Sequence, residues 1–98
     1  MSIALIGGMD RLAKHYQGEA KKHGINLSIF SQSHSGMQSK IKKCDAVVVF
    51  TNKVSHNARN TAISEAKKGE IPVYQFHSCG ISTLRDCFDS LMDQTNQY

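Results

Sequence analysis

The sequence is short of cysteine, of proline and of long apolar runs, and each shortage removes a class of protein. Its three cysteines, Cys44, Cys79 and Cys87, are an odd number and form no Cys-x-x-Cys pair. That argues against a disulfide framework and a ribbon-type zinc site, and reduced thiols are the expectation. The longest apolar stretch, Ala46 to Phe50, is far too short to cross a bilayer. The opening Met1-Ser2-Ile3-Ala4-Leu5-Ile6 has no basic lead and runs at once into Gly7-Gly8, so it reads as a first strand and not as a signal peptide. A cytoplasmic protein without a membrane partner is expected. No repeat, linker or low-complexity segment interrupts the chain, and 98 residues make one domain, 1–98, whose modest core favours self-association through an edge strand or a helix face.

Motifs are missing too. Gly7-Gly8 fits neither the G-x-G-x-x-G fingerprint nor a P-loop, so no bound NAD or ATP is indicated and the cofactor stays unknown. No Ser-His-acid order, nucleophile elbow or acidic dyad is present, no catalytic residue is assigned, and a binding or regulatory module is favoured over an enzyme.

What is present is a chain that alternates strands and helices. Ala46 to Phe50 has apolar residues at consecutive positions, as a strand buried on both faces requires, and its β-branched valines suit a pleated surface better than a helix. Ile3 to Ile6 is a second such run, ended by Gly7-Gly8. Asp10 is placed to cap a helix running to about His23, with Leu12, Ala13, Tyr16 and Ala20 inward and Gly24 as its stop. Ile25 to Ser31 alternates in polarity, the mark of a half-exposed strand. A polar run, Gln32 to Gly36, leads to a short helix carrying Met37, Ile41 and Cys44. A third helix starts near Ser55 and stops at Lys67-Lys68-Gly69. Pro72, the single proline, opens a mixed-polarity strand through Phe76. The last helix presents Ile81, Leu84, Phe88, Leu91 and Met92 on one face, with Asp86, Asp89 and Asp93 on a solvated side, and Gln94 to Tyr98 is expected to fray.

Four strands alternating with four helices predict an α/β fold: a small doubly wound parallel sheet with helices on both faces, Rossmann-like. The two most apolar strands belong in the middle and the mixed ones at the edges, which predicts the order 2-1-3-4.

Ligands of such sheets bind beyond the carboxyl ends of the strands, where crossovers depart in opposite directions. That point lies between strands one and three. It gathers Gly7, Gly8, Asp10 and Arg11 from one loop and Thr51, Asn52, Lys53, Ser55, His56 and Asn57 from the other, flanked by His77-Ser78-Cys79-Gly80 and more distantly by Gln32 to Gly36. Three of the five histidines, His34, His56 and His77, fall near this edge, while His15 and His23 sit on the first helix. Helix N-termini offer free amides, and Arg11, Lys53 or His56 supplies charge, so a small anionic or nucleotide-like ligand is the leading reading. In it Ser55 and Asn57 hold the helix start and His56 faces the ligand. A second reading makes His56, His77 and Cys79 ligands of a metal or haem, or Cys79 a redox-sensing thiol at the start of the last helix. The bland alternatives are that the glycines only turn the chain, that Ser55 and Asn57 only cap, and that Cys44 and Cys87 are small buried residues.

The formal charge of +4 also raises nucleic acid as a partner. Yet Lys21-Lys22, Lys42-Lys43 and Lys67-Lys68, six of the twelve basic residues, fall in the last turns of helices, where they complement the dipole. They form a rim opposite the crevice, and no RNA-binding aromatic pattern accompanies it.

Gly7-Gly8 after the first strand, Asp45-Ala46-Val47-Val48-Val49, Val54-Ser55-His56-Asn57-Ala58, and Ser78-x-Gly80-x-Ser82 before the last helix together resemble a bacterial family, domain of unknown function 2325. The likeness covers nearly the whole chain, with the Ser-His-Asn-Ala segment its most specific part. It implies a compact Rossmann-like domain without an established activity. It marks Gly7, Gly8, Ser55, His56, Asn57, Ser78, Gly80 and Ser82 as positions to test. Cys79 stands where the family favours a second serine, so thiol chemistry is not implied as a family property.

Overall fold

The chain is described here from a computed structural model covering residues 1–30 and 36–95, with side chains described through Met92. His34, most of the Gln32 to Gly36 run, the end of strand two at Ser31 and the last three residues of the stretch expected to fray lie outside the described residues; Gln94 and Thr95, the first two of that stretch, are helical.

In order, the elements are β1 (Ser2–Gly7), a 3₁₀ turn (Asp10–Leu12), α1 (Ala13–Lys22), β2 (Asn26–Phe30), α2 (Met37–Lys42), β3 (Ala46–Phe50), α3 (His56–Lys68), β4 (Val73–Phe76) and α4 (Ile81–Thr95). The four strands form one parallel sheet in the order β2-β1-β3-β4. The graded apolarity of the strands is the cause: β3 is buried at every position and β1 at all but its first, whereas β4 has no fully buried residue.

Two apolar layers sandwich the sheet. Odd-numbered Ile3 and Leu5 of β1, with Val48 and Phe50 of β3, pack against Tyr16 and Ala20 of α1 and Leu84, Cys87 and Phe88 of α4. Ala4, Ile6, Val47 and Val49 point the other way, onto Met37 and Ile41 of α2 and Ala58, Ala62 and Ala66 of α3. The alternation of side chains along each strand divides one apolar run between two cores. The strand starts are tied by polar bonds: Ser2 N–H donates to the Asp45 carboxylate at 2.7 Å, and Asp45 N–H returns one to Ser2 O at 2.7 Å.

Two helix ends differ from expectation. Asp10 makes no capping bond; the chain enters α1 through the 3₁₀ turn, closed by Leu12 N–H to Met9 O at 2.9 Å, and no side chain caps either segment. At the end of α3 the left-handed residue is Glu70 (φ 56°), one later than Gly69, whose φ of −92° any residue adopts. Ile71 N–H bonds to Ala66 O at 2.8 Å, and its side chain folds so closely over Gly69 that a Cβ there would meet Ile71 Cδ1 at 3.2 Å. The glycine makes room for Ile71, and the helix stop falls on glutamate. The end of α1 matches expectation: Gly24 (φ 68°) follows His23, with Ile25 N–H to Ala20 O at 2.8 Å and Gly24 N–H to Lys21 O at 3.1 Å.

Candidate functional site

The crevice between β1 and β3 is narrowed by the chain itself. Gly7 (φ 93°) and Gly8 (φ 94°) turn β1 sharply, and Gly8 N–H donates to Lys53 O at 2.9 Å, joining the two loops. A Cβ on Gly7 would lie 2.6 Å from Lys53 O and 2.8 Å from Val54 Cβ; one on Gly8 would lie 3.0 Å from Tyr16 Cε2. Both glycines therefore serve the close approach of protein to protein, at positions where any side chain would also be strained by its φ.

Outside this seam the loops open into a cleft of about 560 Å³ lined by Gly8, Met9, Asp10, Arg11, Lys53, Val54 and Ser55. It combines two cations and one carboxylate with the start of α3. The Ser55 Oγ accepts the Ala58 amide at 3.2 Å, so the cap is spent on one amide of the first turn. The amides of His56 and Asn57 precede that bond and belong to the unpaired set every helix start carries.

The structure thus brings together Gly8, Asp10, Arg11, Lys53 and Ser55, and sends the other expected residues elsewhere. Thr51 ties β3 to β4, its N–H donating to Phe76 O at 2.8 Å and its hydroxyl to the same oxygen at 3.4 Å. Asn52, His56 and Asn57 are exposed and do not line the cleft. Ser78 Oγ accepts the Gly80 amide at 3.3 Å, and Gly80 O accepts the Leu84 amide at 3.3 Å, so this pair shapes the start of α4; Ser82 is exposed on its first turn. His77 is exposed while Cys79 is buried in the core beside α4. Among the described residues no group of three or more His, Cys, Asp or Glu is arranged to hold a metal ion. Burial pushes the Cys87 thiol up to about 11, and burial together with the nearby Asp45 raises Cys44, whose Sγ contacts Lys40 O at 3.1 Å.

A polar cluster that the sequence reading passed over links α1 to α4. Glu19 is buried, paired with Arg85 at 3.0 Å and with Lys22 at 3.5 Å, and the Arg85 hydrogen bond holds its carboxyl below the usual range. His23 contacts Glu19 O through Nδ1 at 2.8 Å and Asp89 through Nε2 at 2.6 Å. The signal was Glu19 itself, a charge three residues beyond Tyr16 on an apolar stripe, which needs a partner to be buried. Asp89 is accordingly not a purely solvated acid. On the basic rim, Lys22 and Lys68 turn to glutamates of their own helices, Glu19 and Glu65.

Among the described residues no helix is long and apolar enough to cross a membrane. A family model described as an uncharacterized protein conserved in bacteria (DUF2325) matches residues 2–91. The chain therefore belongs to that family. No curated protein and no solved structure matches it.

Proposed function

We propose that this member of the family is a binding or regulatory module that holds a small anionic, nucleotide-like ligand in the cleft between the β1 and β3 loops. The observation that carries this reading is the convergence of Arg11 and Lys53, one from each loop, on a cleft of about 560 Å³ beside the start of α3. That volume is within the range of small-molecule sites. A phosphate group would meet the two cations beside the start of α3, and the field of the helix adds to their charge. Asp10, on the same wall, offers an acceptor to a hydroxyl or amino group and would repel a ligand that carried only negative charge. This favours an anion attached to a donor-bearing body over a bare anion. The ligand contacts rest on Arg11 and Lys53 rather than on His56, which lies outside the lining.

The test is titration calorimetry of the purified protein with adenosine monophosphate and with inorganic phosphate, beside an Arg11→Ala/Lys53→Ala double variant. Saturable binding of the nucleotide, stronger than of phosphate and lost in the double variant without a change in melting temperature, is expected. Equal binding by the double variant overturns the assignment. Native mass spectrometry of the fresh protein reads subunit number alongside, since a chain of this size is also expected to self-associate.

A further inference from the structure

We infer that the outer edge of β2 is a docking site for an extended acidic segment of a partner protein, added to the sheet as a further strand. Among the described residues no strand pairs with β2 on the side away from β1. Asn26 N–H donates inward to Met1 O at 2.9 Å, so the alternation of a parallel ladder turns the backbone groups of Leu27 and Ile29 outward. Leu27 O is met by Gln17 Nε2 at 3.0 Å. The amides of Leu27 and Ile29 and the carbonyl of Ile29 have no partner among the described residues.

The surroundings of that edge are shaped and charged. A cleft of about 610 Å³ follows it, bounded by Lys14 and Gln17 of α1 on one side and Lys40 of α2 on the other, with half-buried Ile29 as its apolar floor beside Leu27, which is already buried in the core. A smaller cleft of about 190 Å³ shares Ser28 and Lys40 and adds Lys43. Among the described residues no carboxylate pairs with Lys14, Lys40 or Lys43, unlike Lys22 and Lys68. An incoming strand would lay alternate side chains on the two sides of the sheet, apolar ones over Leu27 and Ile29 and acidic ones toward Lys40 and Lys43.

Charge decides between occupants. Two copies pairing edge to edge through β2 about a two-fold axis would bring both sets of these lysines to one seam, where like charges oppose association. An acidic segment removes that repulsion and uses the same backbone groups.

The experiment uses the full chain, isotope-labelled, titrated with a capped peptide alternating glutamate and valine and with its lysine-valine counterpart. Binding of the glutamate peptide should slow hydrogen exchange at the Leu27 and Ile29 amides and confine shift changes to β2, α1 and α2. A Lys40→Glu/Lys43→Glu variant, with its fold checked by circular dichroism, should weaken the glutamate peptide at least about tenfold and strengthen the lysine one. The inference is overturned by no saturable binding, by shifts centred elsewhere, or by equal affinity for the two peptides. It is overturned as well if the free protein already protects these two amides in a concentration-dependent way, which would make the occupant a second copy.

Discussion

The Tyr16 hydroxyl donates to the Cys79 carbonyl at 2.6 Å, joining α1 to the loop between β4 and α4 across the end of the sheet. The same oxygen accepts the Met9 amide at 3.3 Å, and the ring packs on Phe50 with centroids 5.8 Å apart. One side chain therefore holds two loop segments and the end of β3 together at the carboxyl edge, packed against Gly8.

Tyr16→Phe keeps the ring and removes only the oxygen. It leaves a buried carbonyl and a partly buried amide without partners, and such groups cost about 1–3 kcal/mol. Urea denaturation should show a loss in that range with an unchanged m-value, and hydrogen exchange at Met9 should quicken before global unfolding. A loss below a few tenths of a kcal/mol would mean that water replaces the hydroxyl.

Gly7→Ala forces a methyl against Lys53 O and Val54 at a φ of 93°. Backbone cannot yield there as a flexible side chain would, so the β1 and β3 loops must part. The expected cost is about 2–4 kcal/mol, read from the denaturation midpoint. Gly8→Ala meets the Tyr16 and Phe50 rings at 3.0 and 3.2 Å and should cost less.

The sheet order was legible because burial on two faces demands unbroken apolar runs, and only 3–6 and 46–50 have them. The cleft was legible in outline, since the same order places Arg11 and Lys53 at one edge. What did not show is how the loops spend their polar groups. Thr51 and Ser78 look like ligand contacts in sequence, yet Thr51 bonds across to the Phe76 carbonyl at the end of β4, and Ser78 accepts the Gly80 amide two residues on, as serines do where a turn offers a free group. Gly69 misled for a related reason: a glycine after a basic turn marks a helix stop, but the side chain of Ile71 needed the space first.

Glu70 is the one described non-glycine residue with a positive φ, at 56°. Its side chain is exposed and makes no ion pair or hydrogen bond among the described residues, so glycine loses no such contact there. Glu70→Gly should raise stability by about 0.5–1 kcal/mol, seen as a higher melting temperature, because the left-handed strain removed exceeds the added freedom of the unfolded chain. A decrease would show that the glutamate stem packs on the helix end.

The His23 pair sets a pH dependence whose sign follows from its contacts. Donation to Glu19 O is the larger cause and the Asp89 carboxylate the next; together they outweigh burial and raise the imidazole above its ordinary 6.5. A raised folded pKa means the native state holds the proton more tightly than the unfolded chain. The contribution is complete below about 6.5 and drains away as pH climbs through the higher folded value. Asp89 is 60% exposed, so solvent screens the pair and the effect should stay within a few tenths to about 1 kcal/mol. Melting curves at pH 6 and pH 8.5 should show greater stability at the lower value for the unmodified chain, over and above the drift shared by all variants. Asp89→Asn should shrink that difference and His23→Gln should abolish it. An undiminished difference in His23→Gln would place the titrating group elsewhere and leave His23 as a packing residue against Phe88, whose ring lies edge-on at 5.6 Å.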